Sequence, residues 1–235
     1  MKSFRQYILE AEFGDLVPQS GTQLGSNPGG IAHDANHNKH YVKQYRNHDQ
    51  AKTEALTGAL YNHLQIKTTN PIYRGNGVVS SQWNDKLKQM HPSHFEKLDD
   101  HQKHQLGRMY HAAVLTKNWD IAGLEHDNIV KNHETGDLHS VDQGGAFHFR
   151  AQGGPKDYGS DIGEHQSLKN PSHAAGHVFG HNLTPEIERK SLDTIRSMDH
   201  EHVHGLFKNS GLSNWKELHT NFMARRQKLL DHYDR

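Results

Sequence analysis

Asn118-Trp-Asp120-Ile-Ala-Gly-Leu-Glu-His-Asp127-Asn128-Ile-Val, and then Leu138-His-Ser-Val141-Asp142-Gln-Gly144-Gly145, reads as a helix end, a loop and a hairpin in one run. The apolar starts of Asn128-Ile-Val-Lys131 and of Leu138–Asp142 flank Glu134-Thr-Gly136-Asp137, a compact hairpin signal. Polar side chains stand at the ends of these elements. Asp120 follows a helix, Asp127 and Asn128 open the first strand, and Asp142 closes the second. The two glycines after Asp142 permit a sharp turn. Singly, Asp142 reads equally well as a tight turn and Asp120 as a residue that ends a helix.

The flanking sequence supplies a cation. Gly25-Ser26-Asn27-Pro-Gly29-Gly30 sits between a possible strand (Thr22–Leu24) and Ile31. Backbone N–H groups of such a run approach phosphate oxygens without a Cβ in the way, although a plain turn is the other reading. Gly25 and Gly30 have the separation of a Walker loop, but Ile31-Ala32 stands where Lys-Ser/Thr is required, so a phosphate-binding lysine must come from elsewhere. Ile31 to Tyr45 reads as a hairpin with a polar tip at Asn36-His37-Asn38, and strand alternation puts Tyr41, Lys43 and Tyr45 on one face. Lys43 is either that lysine or a snorkelling surface residue. Glu54 lies eleven residues on, in a helix expected from Asp49 to Gln65 with Leu56, Leu60 and Leu64 as its buried stripe. The small neighbours Thr57 and Gly58 let that helix approach a sheet, where a Lys43–Glu54 pair would fix the ammonium for ATP phosphates. Phosphoryl transfer also needs a carboxylate beside the attacking hydroxyl and oxygen ligands for Mg²⁺. Asp120 suits the first role and Asn128 the second; Asp142 adds a carboxylate at a strand end, and Asp127 is an alternative ligand.

The rest of the chain is read more coarsely. Pro71–Arg74 and Val78–Trp83 are short strands around a Gly75-Asn-Gly77 turn, and His94 to Lys117 reads as one long helix. A polar, glycine-rich stretch runs from Gly145 to about Asn182. Thr184-Pro185-Glu186 opens another helix, and Ser213 the last one, with Trp215, Leu218, Phe222, Leu229 and Tyr233 inward. A strand-rich first third and a helical remainder give an α+β order: a leader and linker (1–20), a β-rich lobe (21–84) and a helical lobe (85–235).

Composition excludes several classes. Lys plus Arg and Asp plus Glu both total 27, so no global basic field points to nucleic acid or a membrane surface. The absence of cysteine removes disulfides, thiol nucleophiles and Cys-based zinc sites. No apolar run approaches the ~20 residues of a membrane span, and residues 1–13 lack the apolar core of a secretory signal. The 23 histidines are scattered; the local cluster His200-Glu-His202-Val-His204 lacks an obvious third ligand and reads as solvated.

In order and spacing, these residues resemble a small, atypical member of the protein-kinase-like superfamily, nearer its HipA-like and phosphoinositide-kinase-like branches and similar to kinase-like domains of bacterial and phage effectors. The resemblance covers roughly residues 21–207 and implies a two-lobed fold that binds ATP and Mg²⁺. It implies that Lys43 binds phosphate, Glu54 positions it, Asp120 acts as base, and Asn128 and Asp142 hold metal. Departures are plain: Asp120 and Asn128 stand eight apart instead of five, Asn118-Trp119 replaces the usual His-Arg, and no Ala-Pro-Glu follows Asp142. The expected activity is phosphotransfer to a hydroxyl on a host protein. AMP transfer by the same fold and a catalytically inactive binding protein are the alternatives. The start Met1-Lys-Ser-Phe-Arg-Gln-Tyr-Ile8-Leu9-Glu10 is similar to the capsid-targeting leaders of T-even-type phage internal head proteins. That likeness implies cleavage after Glu10 and a path from the virion interior to the host cytoplasm. An amphipathic helix docked on the domain is the other reading.

Overall fold

The computed structural model describes residues 16–18 and 27–235. The Ile8-Leu9-Glu10 leader, the strand expected at Thr22–Leu24, Gly25 and Ser26 lie outside the described residues. Two sheets organise the rest. The first has strand order β1-β2-β3-β6-β5, made from β1 (Val17–Pro18), β2 (Gly29–His33), β3 (Lys39–Gln44), β5 (Ile72–Tyr73) and β6 (Val78–Gln82). All its pairings are antiparallel. The β2–β3 turn is closed by Asp34, whose Oδ1 accepts from the Asn36 and Asn38 amides. The expected strand at Ile31 begins earlier: Gly29 and Gly30 are already in the ladder, opposite Lys43 and Val42.

Helix α1 (His48–His63) begins on an Asn47 cap and buries Leu56, Leu60 and the following Leu64. Polar Gln50, Thr53 and Glu54 are buried too, because tertiary partners cover this helix on more than its apolar stripe. Gly58 lies against the Pro71 ring, leaving no room for a Cβ. On the sheet, Val42, Ala32 and Val78 cluster with Leu16, while Tyr45 and Val79 pack with Ala51 of α1. Tyr41, Val42 and Lys43 are consecutive and all buried, so strand β3 is covered on both faces.

The second sheet has order β4-β9-β8-β7, from β4 (Lys67–Thr68), β7 (Leu87–Gln89), β8 (Ile129–Asn132) and β9 (Leu138–Ser140). The expected hairpin around Glu134–Asp137 is β8–β9. Strand β4 comes from the first part of the chain and pairs parallel with β9, binding the two lobes through backbone bonds.

One expected element is two. The helix read from His94 to Lys117 is a single turn, α2 (Pro92–Phe95), and then α3 (Asp100–Thr116). Asp99 starts the second with a reciprocal cap: its carboxylate accepts from the Gln102 amide and Gln102 Oε1 from the Asp99 amide. The stretch read as polar loop contains α4 (Glu164–Ser167) and α5 (Ala174–Asn182). Then come α6 (Pro185–Lys190), with Thr184 as N-cap and Pro185 in its first turn, α7 (Asp193–Arg196), α8 (His200–Lys208) and α9 (Trp215–Tyr233). The last helix starts two residues after Ser213; Leu218, Phe222 and Leu229 are buried, as expected, and so is Arg225. One apolar core runs through α1, α3, α5, α8 and α9.

Candidate active site

Between the sheets lies a cavity of about 470 Å³, within the range that small-molecule sites occupy. Tyr41, Lys43, Glu54, Asp127, Asn128 and Asp142 all line it. The structure therefore brings to one place five of the residues singled out from sequence, drawn from β3, α1, the entry to β8 and the exit of β9.

Lys43 is the centre of charge. Its ammonium donates to Glu54 Oε1 at 2.8 Å and lies 2.9 Å from Asp142 Oδ1. Burial alone would lower its pKa; Asp142 and Glu54 outweigh that and hold it well above the ordinary lysine value. Glu54, at 1% exposure, is pushed up by burial against the pull of Lys43. Its second oxygen accepts from Tyr45 Oη at 2.6 Å. Burial and the Glu54 carboxylate keep Tyr45 protonated far above its usual range.

Asp142 has left-handed backbone (φ +57°), a conformation that Asp tolerates better than most residues, and N-caps a 3₁₀ turn over Gln143–Gly145. Both glycines of that turn have a steric reason. A Cβ on Gly144 would meet Tyr45 Oη at 2.5 Å, and one on Gly145 would meet Asp120 Cβ at 3.2 Å. The turn thus slides between the Glu54–Tyr45 pair and the Asp120 loop.

The loop after α3 opens with Lys117 in left-handed backbone and Asn118 Oδ1 accepting from the Asp120 amide. Asn128 Nδ2 donates to the Asp120 carbonyl (2.7 Å) and to Asp120 Oδ2 (3.2 Å). The wider Asp120–Asn128 spacing is therefore spanned by direct hydrogen bonds. Asp120 itself is not among the cavity-lining residues; it stands behind Asn128. Burial, followed by the nearby Asp142 charge, pushes its carboxyl up to about 6.

With Nδ2 committed to Asp120, Asn128 is left with its carbonyl oxygen as a donor to a cation, and Asp142 and Asp127 add carboxylates on the same cavity wall. Among the described residues no group of three or more His, Cys, Asp or Glu gathers as a metal cage. Mg²⁺ does not need one: one or two carboxylates plus substrate phosphates satisfy it. The oxygen donors present fit that ion. Of the glycine-rich run, Asn27 precedes the ladder and Gly29 backs Tyr41, where a Cβ would meet Tyr41 Oη at 2.7 Å.

Three contributors escaped the sequence reading. Lys156 is buried and donates to the Lys117 and Gly145 carbonyls at 2.5 and 2.6 Å. Burial draws its pKa down to about 7. Gln50 Nε2 reaches the carbonyls of Gly144, Arg150 and Ala151. Arg225, with no exposure, donates to Val114, Gly159 and Asp161 carbonyls and pairs with Glu164.

No family model matches the sequence, and no curated protein matches it. Among solved structures, the chain is similar to the proinflammatory kinase CtkA of Helicobacter pylori, with a TM-score of 0.61 at 12% identity over 93% of this chain and 94% of that one. Choline kinase LicA from Streptococcus pneumoniae gives a TM-score of 0.43 at 10% identity over 99% of both chains. The FAT and kinase domain of CtTel1 gives 0.42 at 13% identity over 91% of this chain and 21% of that one. Neither of these last two is near enough to bear on the fold. The likeness to CtkA, together with the two sheets and the cavity between them, makes this a two-lobed, protein-kinase-like α+β fold.

Proposed function

We propose that the protein is an ATP- and Mg²⁺-dependent phosphotransferase acting on a protein hydroxyl. The observation that carries this reading is the convergence of Lys43, Glu54 and Asp142 within 3 Å contacts on the wall of a nucleotide-sized cavity that Asn128 also lines. An ammonium has three N–H donors. Glu54 accepts one and Asp142 pairs with the charge at 2.9 Å, which leaves an N–H for a phosphate oxygen. Leu87, Val130 and Val141 give the cavity the apolar walls that a heterocyclic base fills. Asp142 and Asn128, with Asp127 as the alternative, would hold the metal, which when bound neutralises charge building on the phosphate oxygens. Asp120, with its carboxyl near 6, is ionised at neutral pH and suited to take the acceptor's proton.

A second reading, nucleotide binding without transfer, has one observation in its favour: Asp120 stands behind Asn128 instead of on the cavity wall. The test is transfer of label from γ-phosphate-labelled ATP to protein, with α-labelled ATP run beside it to reveal AMP transfer. Label from the γ position that is lost in Asp142→Asn supports the proposal. Nucleotide-induced thermal stabilisation with no transfer of either label favours the second reading. Delivery into a host with a phage genome rests on the Ile8-Leu9-Glu10 resemblance alone; virion-derived protein that does not begin at Ala11 would remove it.

A further inference from the structure

We propose that the acceptor is an acidic protein segment that docks on Trp119 and Arg150 beside Asp120, an assignment that rests on the phosphotransferase reading above. Trp119 is one of three large apolar side chains exposed among the described residues, at 42%. Its ring is held in place by Nε1 donating to Glu164 Oε1 at 3.1 Å. Three cations lie against it: Lys156 at 4.9 Å and Lys117 and Arg150 at 5.5 Å from the ring centre. They differ in what else they touch. Lys156 is buried and spent on two carbonyls. Lys117 lies 3.8 Å from Glu164, a carboxylate already shared with Arg225. Arg150 is exposed, and among the described residues no carboxylate pairs with it.

The position of this charge is set by the fold. The Ala151 amide nitrogen and Asp120 Cβ both lie within 3.4 Å of the point where a Gly145 Cβ would sit. One absent methyl group therefore separates the Arg150–Ala151 segment from the Asp120 loop. Gln50 pins the same segment by its carbonyls. A guanidinium stacked on an indole and anchored at its backbone loses little freedom when it binds, and its fork matches a carboxylate. The exposed indole face and Leu124, 80% exposed in the same loop, offer apolar contact that a peptide uses and a lone anion does not. Exposed Glu125 and Asp127, farther along the same loop, repel acids there. Acidic residues on the acceptor would accordingly face Arg150.

The test uses the full chain and fluorescein-labelled serine peptides flanked by Glu, Ala or Lys, with anisotropy for binding and γ-phosphate transfer for turnover. The Glu-flanked peptide is expected to bind most tightly, with affinity falling as salt rises. In Arg150→Glu, an exposed ion pair becomes a like-charge contact, and binding of that peptide should weaken by about five- to tenfold. Trp119→Ala should weaken it as well, and a circular-dichroism melt verifies that both variants fold. Equal binding of the three peptides, or a Glu preference that survives Arg150→Glu, overturns the proposal. Because anisotropy needs no turnover, acidic-peptide binding without phosphate transfer would retain the docking site and count against the phosphotransferase reading alone.

Discussion

Replacing Lys43 by Met removes the one cation between two carboxylates. Its stability cost follows from their burial. Glu54 is 1% exposed and keeps a hydrogen bond from Tyr45, but loses its 2.8 Å partner. Asp142 has a side chain 44% exposed, so water screens its half of the interaction and it contributes little. Stranding one buried charge of a pair costs about 3–5 kcal/mol. For a chain of this size each kcal/mol moves the melting temperature by roughly 2–4 °C, giving a drop of roughly 6–20 °C.

The sign of the pH dependence separates this from ordinary loss of packing. Burial already raises Glu54 above the ordinary carboxylate value, and removing Lys43 takes away the main group pulling it down. A carboxyl whose folded pKa is raised carries its penalty above that folded value. The penalty vanishes below the unfolded value, where both states are protonated. Lys43→Met should therefore be most damaging at pH 8 and least near pH 4. Lys43→Met combined with Glu54→Gln should recover much of the loss, because no buried charge is then left unpaired and the half-exposed Asp142 is solvated. Urea unfolding of the four proteins in this cycle, at both pH values, measures it. A loss under about 1 kcal/mol at pH 8, or a double variant no better than the single, would show that Lys43 and Glu54 do not form a buried pair.

Two further predictions address the catalytic loop and its support. With Asp120 near 6 and active as a carboxylate, kcat should rise with pH through about 6 and level off above it; in Asp120→Asn the residual rate should lose that limb. Arg225→Met leaves Glu164 and three carbonyls without their donor and should cost about 3–5 kcal/mol in urea denaturation, whereas an exposed control such as Lys216→Met should stay within ~0.5 kcal/mol.

What could be read from sequence follows a physical divide. Lys43, Glu54 and Asp142 were legible because local rules place them: strand alternation aims Lys43, the helix after Asn47 carries Glu54, and glycines after a strand end free Asp142 to turn. The hairpin β8–β9 was legible from its polar, glycine-containing tip. The break between α2 and α3 had a signal, Asp99 with Gln102 three residues on, but the apolar positions on either side masked it. Helices α4 and α5 lie in a segment so rich in Gly, His and Ser that periodicity is weak. The buried roles of Arg225 and Lys156 were not legible, since a charged residue on a single sequence is presumed to face water, and only the assembled backbone shows the carbonyls waiting for it.

Those two hidden cations explain how so polar a chain keeps its loops in register. A helix ends in carbonyls that its own amides do not fully satisfy, and an end left open would let the following loop drift. Arg225 takes the Val114 carbonyl at the end of α3, and Lys156 takes Lys117 just beyond it and Gly145 after Asp142. Gln50, one turn before Glu54 on α1, takes Gly144 in the same turn. The helix that positions Lys43 is thereby coupled through a single carboxamide to the segment that carries Asp142, and Lys156 couples that segment to the loop of Asp120. A lysine drawn down to about 7 still suits this task, because a neutral amine keeps two N–H donors for its two carbonyls. The two hydrogen bonds that hold the loops therefore survive loss of the Lys156 proton, while the charge itself acts on Asp120, whose carboxyl it draws down.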